Sequence, residues 1–269
     1  MPTKLFFFLF NLALRVHHKR IFERASGLAF RVLLAFFPFI VFLMSLMGFL
    51  HLDESAILSG LYEVLPRDIS YLVAGFVQEL SIARSTGLLS AALFFSVYNT
   101  TNGFRAIIRC VNVAYGVEEK RGFALQVLLS FVLMMLFSLS LFIMLGLLIF
   151  GQHIWGYFFP NANDLIVALS SGAASLVVLI FTTMLIYRLA CAKKLPTRHV
   201  LPGAIFTVVA WVVASSFFGF VTQNFTQYPA IYGSIAGVFI LILWLNVISI
   251  LLLIGNELNA LLAEYSNVV

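Results

Sequence analysis

Charged side chains are scarce in this sequence. Asp, Glu, Lys and Arg make up 10% of its residues, against about 25% in soluble domains. That shortage excludes an ordinary water-soluble globular protein, whose surface needs charge. Cysteine is nearly absent. Cys110 and Cys191 match no metal-binding spacing and sit near helix ends, where packing is the expected role. Histidine and acid are too dispersed for metal-assisted hydrolysis. His17, His18, His51, His153 and His199 are scattered along the chain, and the basic segments between the apolar stretches hold no Asp. Also missing are a Gly-rich nucleotide loop, a Ser nucleophile elbow and a Cys–His pair in a credible setting. Period-two alternation is absent too, which argues against a β-barrel.

What the sequence has is apolar length. Its hydrophobic fraction is 62%, and six long apolar stretches fall at about Leu28–Leu50, Leu88–Ile107, Phe123–Phe150, Leu165–Leu189, Leu201–Val221 and Ile235–Ile254. Crossing roughly 30 Å of hydrocarbon at about 1.5 Å per residue takes about 20 such residues. The expected fold is all-α: a polytopic transmembrane bundle of six helices. One such bundle, residues 26–265, uses nearly the whole chain, after a segment 1–25 and with an external helical insertion at 52–86.

The net charge of +5 is unevenly placed. Lys4, Arg15, Lys19, Arg20 and Arg24 precede the first stretch. Arg105, Arg109, Lys120 and Arg121 lie around the second connection, and Arg188, Lys193, Lys194 and Arg198 around the fourth. The alternate connections are acidic or uncharged. Leu52–Thr86 sets Asp53, Glu54, Glu63, Asp68 and Glu79 against Arg67 and Arg84, while Gly151–Asp164 and Gln223–Ile231 hold no Lys or Arg. Retention of basic segments predicts an inner (plasma) membrane protein with both termini cytoplasmic. The basic patches then read as topology determinants beside anionic headgroups, so membrane lipids are the expected partners and nucleic acid is not.

The N-terminal stretch is read as an interfacial helix with Leu5, Phe8, Leu9 and Leu12 on one face; no small-x-small cleavage site follows it. Within the external insertion, Ile69, Leu72, Val73, Phe76, Val77 and Leu80 recur at helical spacing. Asp68 is the expected N-cap, and Pro66 ends the preceding Ala56–Leu65 segment. The helix is expected to lie on the headgroups, with covering the bundle mouth as the other option. Trp155, Tyr157, Phe158 and Phe159 suggest an interfacial aromatic belt.

Polar residues inside the spans are the informative ones, because burying them in lipid is costly. Asn102, Arg105, Arg109 and Asn112 are spaced 3, 4 and 3 apart and share a helical face, predicted to turn toward the bundle interior. Arg31 lies early in the first span, and Glu257 is expected just after the last. Two readings stay open. Glu257 could pair with Arg31 or Arg109 and tether helices. Alternatively, Arg31, Asn102, Arg105, Arg109, Asn112 and Glu257 could form a substrate or headgroup site, since guanidinium geometry suits phosphate. Pro38 would kink the first span and is a candidate hinge. Asn246 is expected to bond across helices. Gly233-x-x-x-Gly237 and the small cluster at Ser170–Ser175 would permit close approach.

Several stretches together resemble the YihY/BrkB family of bacterial inner-membrane proteins. They are Gly27-Leu-Ala-Phe-Arg-Val-Leu-Leu-Ala-Phe-Phe-Pro38, Asn102-Gly-Phe-Arg105 with Asn112-Val-Ala-Tyr115-Gly116, and Arg198-His-Val-Leu-Pro-Gly203-Ala204. Tyr232-Gly-Ser234, Leu243-Trp244-Leu245 and Gly255-Asn-Glu257-Leu-Asn259 complete the match, from about Phe22 to Glu264. The resemblance implies a six-span protein of unsettled function, for which an older ribonuclease BN label is regarded as a misassignment. The expected role is therefore not enzymatic and needs no cofactor or metal: transport or handling of a lipid or other anionic amphipathic substrate in envelope maintenance. A scaffold that recruits an envelope partner protein through Leu52–Thr86 is the alternative. Oligomeric state is not legible.

Overall fold

The computed structural model describes residues 2–49, 67–82, 86–158, 164–224 and 234–267. Every regular element among them is a helix: α1 (Pro2–His18), α2 (Ile21–Phe49), α3 (Arg67–Ile82), α4 (Thr86–Ala114), α5 (Phe123–Phe158), α6 (Asp164–Ala190), α7 (Thr197–Asn224) and α8 (Ser234–Asn267). Five contain segments long and apolar enough to cross a membrane: Ile21–Met44, Phe123–Leu147, Leu169–Ala190, Thr197–Val221 and Gly237–Ser266. The sixth stretch lies in α4, a helix of 29 residues and thus about 43 Å long. It has the length to span but is interrupted by Asn99, Asn102, Arg105, Arg109 and Asn112.

Phe30, Leu34, Phe94, Phe131, Leu139, Val177, Phe181, Val213, Phe217, Phe239 and Leu243 all point outward and are exposed. A soluble protein does not tolerate so continuous an apolar exterior, whereas lipid favours it. Between the helices, the main core joins Phe104, Ile108 and Val111 of α4 to Leu133 and Met134 of α5 and to Met184, Ile186 and Tyr187 of α6. A second core gathers Ala29 and Ile40 of α2 with Leu241, Trp244 and Leu245 of α8.

Small residues set the tightest crossings. A side-chain carbon added at Gly203 of α7 would collide with the Gly255 carbonyl of α8, and one at Gly255 would collide with the Thr207 hydroxyl. The motifs around these two glycines are therefore one contact seen from both sides. The Tyr187 hydroxyl spans the same crossing. It donates to the Leu252 carbonyl at 2.7 Å and shares a 2.8 Å hydrogen bond with Thr207. At Gly103, an added carbon would come within 2.9 Å of the Ala35 Cβ, so α4 and α2 also pack closely there.

Several expectations change in detail. The last apolar stretch does not end its helix at Ile254, since α8 runs on to Asn267 and Glu257 lies inside it. Likewise α5 continues through Trp155 and Tyr157 to Phe158. The external helix exists, but its apolar stripe is docked on the bundle and not spread on headgroups. Ile69, Val73 and Val77 are buried against α2 and α8, and Leu72 fits where Gly237 leaves room. Burying the stripe against Trp244 and Leu245 removes it from contact with either water or lipid. Helix α3 starts at Arg67, so Asp68 falls in its first turn; Pro66, the Ala56–Leu65 segment and Gly233 lie outside the described residues. No neighbour crowds Gly172, so the Ser170–Ser175 cluster marks no close crossing at that glycine. Helix α2 is continuous through Pro38. The Asn246 amide does bond across helices, donating to the Ser26 hydroxyl at 3.0 Å.

Candidate functional site

The helix ends at Arg15–Arg24, Ala114–Phe123, Ala190–Thr197 and Asn256–Asn267 gather at one end of the bundle, here termed the basic end. Two arrangements of charge occur there. In the first, each charged group named has a partner. Glu257 is fully buried, and its carboxylate lies 2.9 Å from the Lys19 ammonium and 3.7 Å from the Arg15 guanidinium. Lys19 also donates to the Ala114 carbonyl at 2.6 Å, which ties α1 to the ends of both α4 and α8. Arg15 pairs with Glu264 as well, and that hydrogen bond is the chief reason its pKa stands above the ordinary value. One turn earlier, Asn11 donates to the Tyr265 hydroxyl at 2.7 Å and Phe8 packs on the Tyr265 ring. This polar latch replaces the anticipated Arg31–Glu257 or Arg109–Glu257 pair. The carboxylate is within 4 Å of Lys19 and Arg15 and not of either predicted arginine. The extension of α8 past Ile254 carries Glu257 to the α1 junction.

A second paired cluster stops α4 and α6. Gly116 adopts a left-handed φ of +63°, with Gly116 N–H to Val113 C=O and Val117 N–H to Asn112 C=O bonds of 3.1 Å. That double bond is the Schellman helix end, which favours Gly at this position. The chain then turns so that Glu119 accepts from Arg121 at 2.7 and 2.8 Å and from Asn112 at 2.7 Å. Burial alone would raise the Glu119 pKa, but the Arg121 and Asn112 bonds outweigh it and hold the carboxyl below its usual range. Arg121 also donates to the last α6 carbonyls, Leu189 at 3.2 Å and Ala190 at 2.6 Å. Asn112 is buried, with its amide on Ala190 and its carbonyl on the Ala192 N–H. Its polar groups are spent on Glu119 and on the protein's own backbone.

The other arrangement has cations without acids. Arg109 is exposed on α4, close enough to Arg31 of α2 and to Arg105 for their charges to oppose one another. Arg24 stands near enough to act on Cys110, as do Arg31 and Arg109. Among the described residues, none of these four arginines forms an ion pair. Arg105 is half-buried: its Nη1 lies 3.4 Å from the Asn102 Oδ1, its guanidinium stands 4.8 Å over the Phe123 ring, and its buried Nε has no partner. Both contacts hold the planar group in place without neutralising it.

This arginine face corrects one expectation. The buried side of α4 is Phe104, Ile108 and Val111, whereas Arg105 and Arg109 lie on the outward flank with Tyr98 and Val113. Apolar burial outweighs polar burial here, because the two guanidinium groups of α4 would each need an acid inside the core. Of the predicted site residues, the structure brings together Arg31, Asn102, Arg105 and Arg109. It places Asn112 and Glu257 in the paired clusters and Pro38 within α2, away from charge. Lys19, Arg15 and Tyr187 were not singled out. A Tyr within an otherwise apolar run was the available signal for Tyr187, and basic residues in helical register before an apolar run were the signal for α1.

Among the described residues, no three His, Cys, Asp or Glu side chains are grouped so as to hold a metal ion. The sequence model of the family described as "Virulence factor BrkB" matches residues 12–268. YfkH of Bacillus subtilis (strain 168), whose name calls it ribonuclease-like, is 35% identical over 246 residues, covering 89% of each chain. A UPF0761 membrane protein of Aliivibrio salmonicida (strain LFI1238) is 28% identical, covering 96% of this chain and 83% of its own. Another, from Tolumonas auensis, is 29% identical over 118 residues, 43% of this chain and 37% of its own. No solved structure matches. With a family match over nearly the full chain and relatives named as membrane proteins, this chain belongs to the YihY/BrkB family.

Proposed function

We propose that this protein handles or moves an anionic amphipathic substrate, a phospholipid being the simplest case, by holding its phosphate at Arg31, Arg105 and Arg109. The observation that carries the reading is the cluster of guanidinium groups on the outward flank of α2 and α4, none of which has an ion pair among the described residues. Neighbouring like charges are unfavourable unless an anion joins them, and guanidinium matches phosphate with two parallel hydrogen bonds. Asn102 positions Arg105, and the half-buried, lipid-side location gives an acyl chain somewhere to lie. Glu257 and Asn112 support the site from behind by fixing where α8, α4 and α6 end.

The same reading takes α4 as a sixth span and places the basic end in the cytoplasm of an inner-membrane protein, the usual outcome of retained positive charge. Helix α1 rests in the interface. Its Phe6, Phe7, Leu9, Phe10 and Leu14 are exposed on the side away from Tyr265, a different apolar face from the one expected. In the same reading Pro38, inside α2, is the point at which that helix bends. Handling of this kind requires no catalytic residue.

The test is phospholipid redistribution in reconstituted vesicles, comparing wild type with folded Arg105→Ala and Arg109→Ala variants. Redistribution lost in both variants is the expected result. Equal rates in wild type and variants would refute the headgroup role. A wild type no faster than empty vesicles, together with a stoichiometric protein that co-purifies through α3, would favour the scaffold alternative.

A further inference from the structure

A separate cleft of about 280 Å³ opens at the basic end, between the α6–α7 connection and the last turns of α8. Lys193, Lys194 and Arg198 line it, with Tyr115 on the opposite wall and Ala260 and Ala263 leaving space. Among the described residues, none of the three cations forms an ion pair. Glu264, the one acid on the wall, is occupied by Arg15. His199 also borders the cleft, with its Nε2 3.0 Å from the Ser266 hydroxyl.

Two features make this more than a patch of topology-setting charge. Among the described residues the buried Tyr115 hydroxyl has no hydrogen-bond partner, although a buried O–H ordinarily finds one. In addition, α7 starts at this cleft. His199 N–H bonds the Pro196 carbonyl at 3.0 Å, and among the described residues the other first-turn amides have no backbone partner. A helix of 28 residues thus presents the positive end of its dipole beside two ammonium groups and a guanidinium.

We infer that this cleft binds a phosphate group, with Lys193, Lys194 and Arg198 carrying the charge and the Tyr115 hydroxyl donating from within. The volume lies just below the usual range for small-molecule sites, which suits a phosphomonoester or a lipid headgroup. The site shares no residue with the arginine face, so the two stand or fall separately.

The experiment uses the full chain in a neutral detergent and measures equilibrium binding of inorganic phosphate, glycerol 3-phosphate and a short-chain phosphatidic acid. Saturable binding is expected. The Lys193→Ala/Arg198→Ala double variant weakens it by about tenfold or more, and Tyr115→Phe by about threefold to tenfold. The same decreases in an Arg105→Ala/Arg109→Ala background, from which the proposed headgroup face has been removed, assign the binding to the cleft. Tighter binding of the short-chain lipid identifies a membrane source for the phosphate; equal or tighter binding of glycerol 3-phosphate identifies a soluble one. Tyr115→Phe removes only an oxygen, so it tests the site without emptying the core. Absence of saturable binding to all three probes, or unaltered affinity in both the double variant and Tyr115→Phe, overturns the inference.

Discussion

Two regions of the basic end carry similar numbers of cations and use them in opposite ways. Around Glu257 and Glu119, the Lys19, Arg15 and Arg121 side chains each meet a carboxylate and also bond a backbone carbonyl or a second acid. On the α2–α4 flank, Arg24, Arg31, Arg105 and Arg109 stand near one another, and none of them has an ion pair among the described residues. The first arrangement satisfies helix ends and joins helices. The second leaves its charge without a carboxylate among the described residues. Positive residues in membrane proteins are commonly grouped under topology alone, yet here their partners separate structural from available charge.

That contrast can be broken most forcefully at Glu257. Replacing it with Ala leaves Lys19 facing a buried hollow, and breaking such a pair costs about 3–5 kcal/mol. Thermal unfolding in detergent should show the loss, along with release of α1 as faster proteolysis after Arg15 or Lys19. Next in size is Arg121→Ala, which uncaps α6 and unpairs Glu119 and should cost about 1.5–3 kcal/mol. The Glu119 carboxyl adds a pH signature. Its folded pKa is below its ordinary value of 4.5, so its stabilising effect is present above that value and fades as pH falls through the depressed one. The melting-temperature gap between wild type and Glu119→Gln should therefore be open at neutral pH and close in acid.

Smaller effects sharpen the comparison. Arg20 joins α1 to α2 with a φ of +49°, a conformation unfavourable to a side chain. Arg20→Val should be less stable than Arg20→Gly by about 1 kcal/mol in the same melting assay. Smallest of all are Arg31→Ala and Arg109→Ala, each expected to change stability by less than about 0.5 kcal/mol. A large stability loss at Arg109 would mean that it has an internal partner and would erase the distinction between the two regions.

The bundle was legible because lipid imposes a simple rule: long apolar runs become helices whose backbone bonds are internal. Their ends were not, because an apolar run and its helix need not stop together. Glu257 shows this, since α8 passes through it without a break in hydrogen bonding. The stripe Asn102, Arg105, Arg109 and Asn112 was visible as periodicity, but periodicity does not say which face turns inward. Phe104, Ile108 and Val111 decided that by burying more apolar area. Pairing was hidden for a different reason: Lys19 and Glu257 are 238 residues apart. Any of several basic residues could have met that carboxylate until the crossing at Gly203 and Gly255 fixed where α8 ends.

The most direct measurement is the amount of phosphatidylglycerol retained per protein after purification in neutral detergent. It compares wild type with a folded Arg31→Ala/Arg105→Ala/Arg109→Ala variant, with Lys193→Ala/Arg198→Ala as the control at the other cleft. If the arginine face is available charge, the triple variant loses most of the lipid and the control keeps that bound at the arginine face. Equal retention in wild type and the folded triple variant would contradict the account.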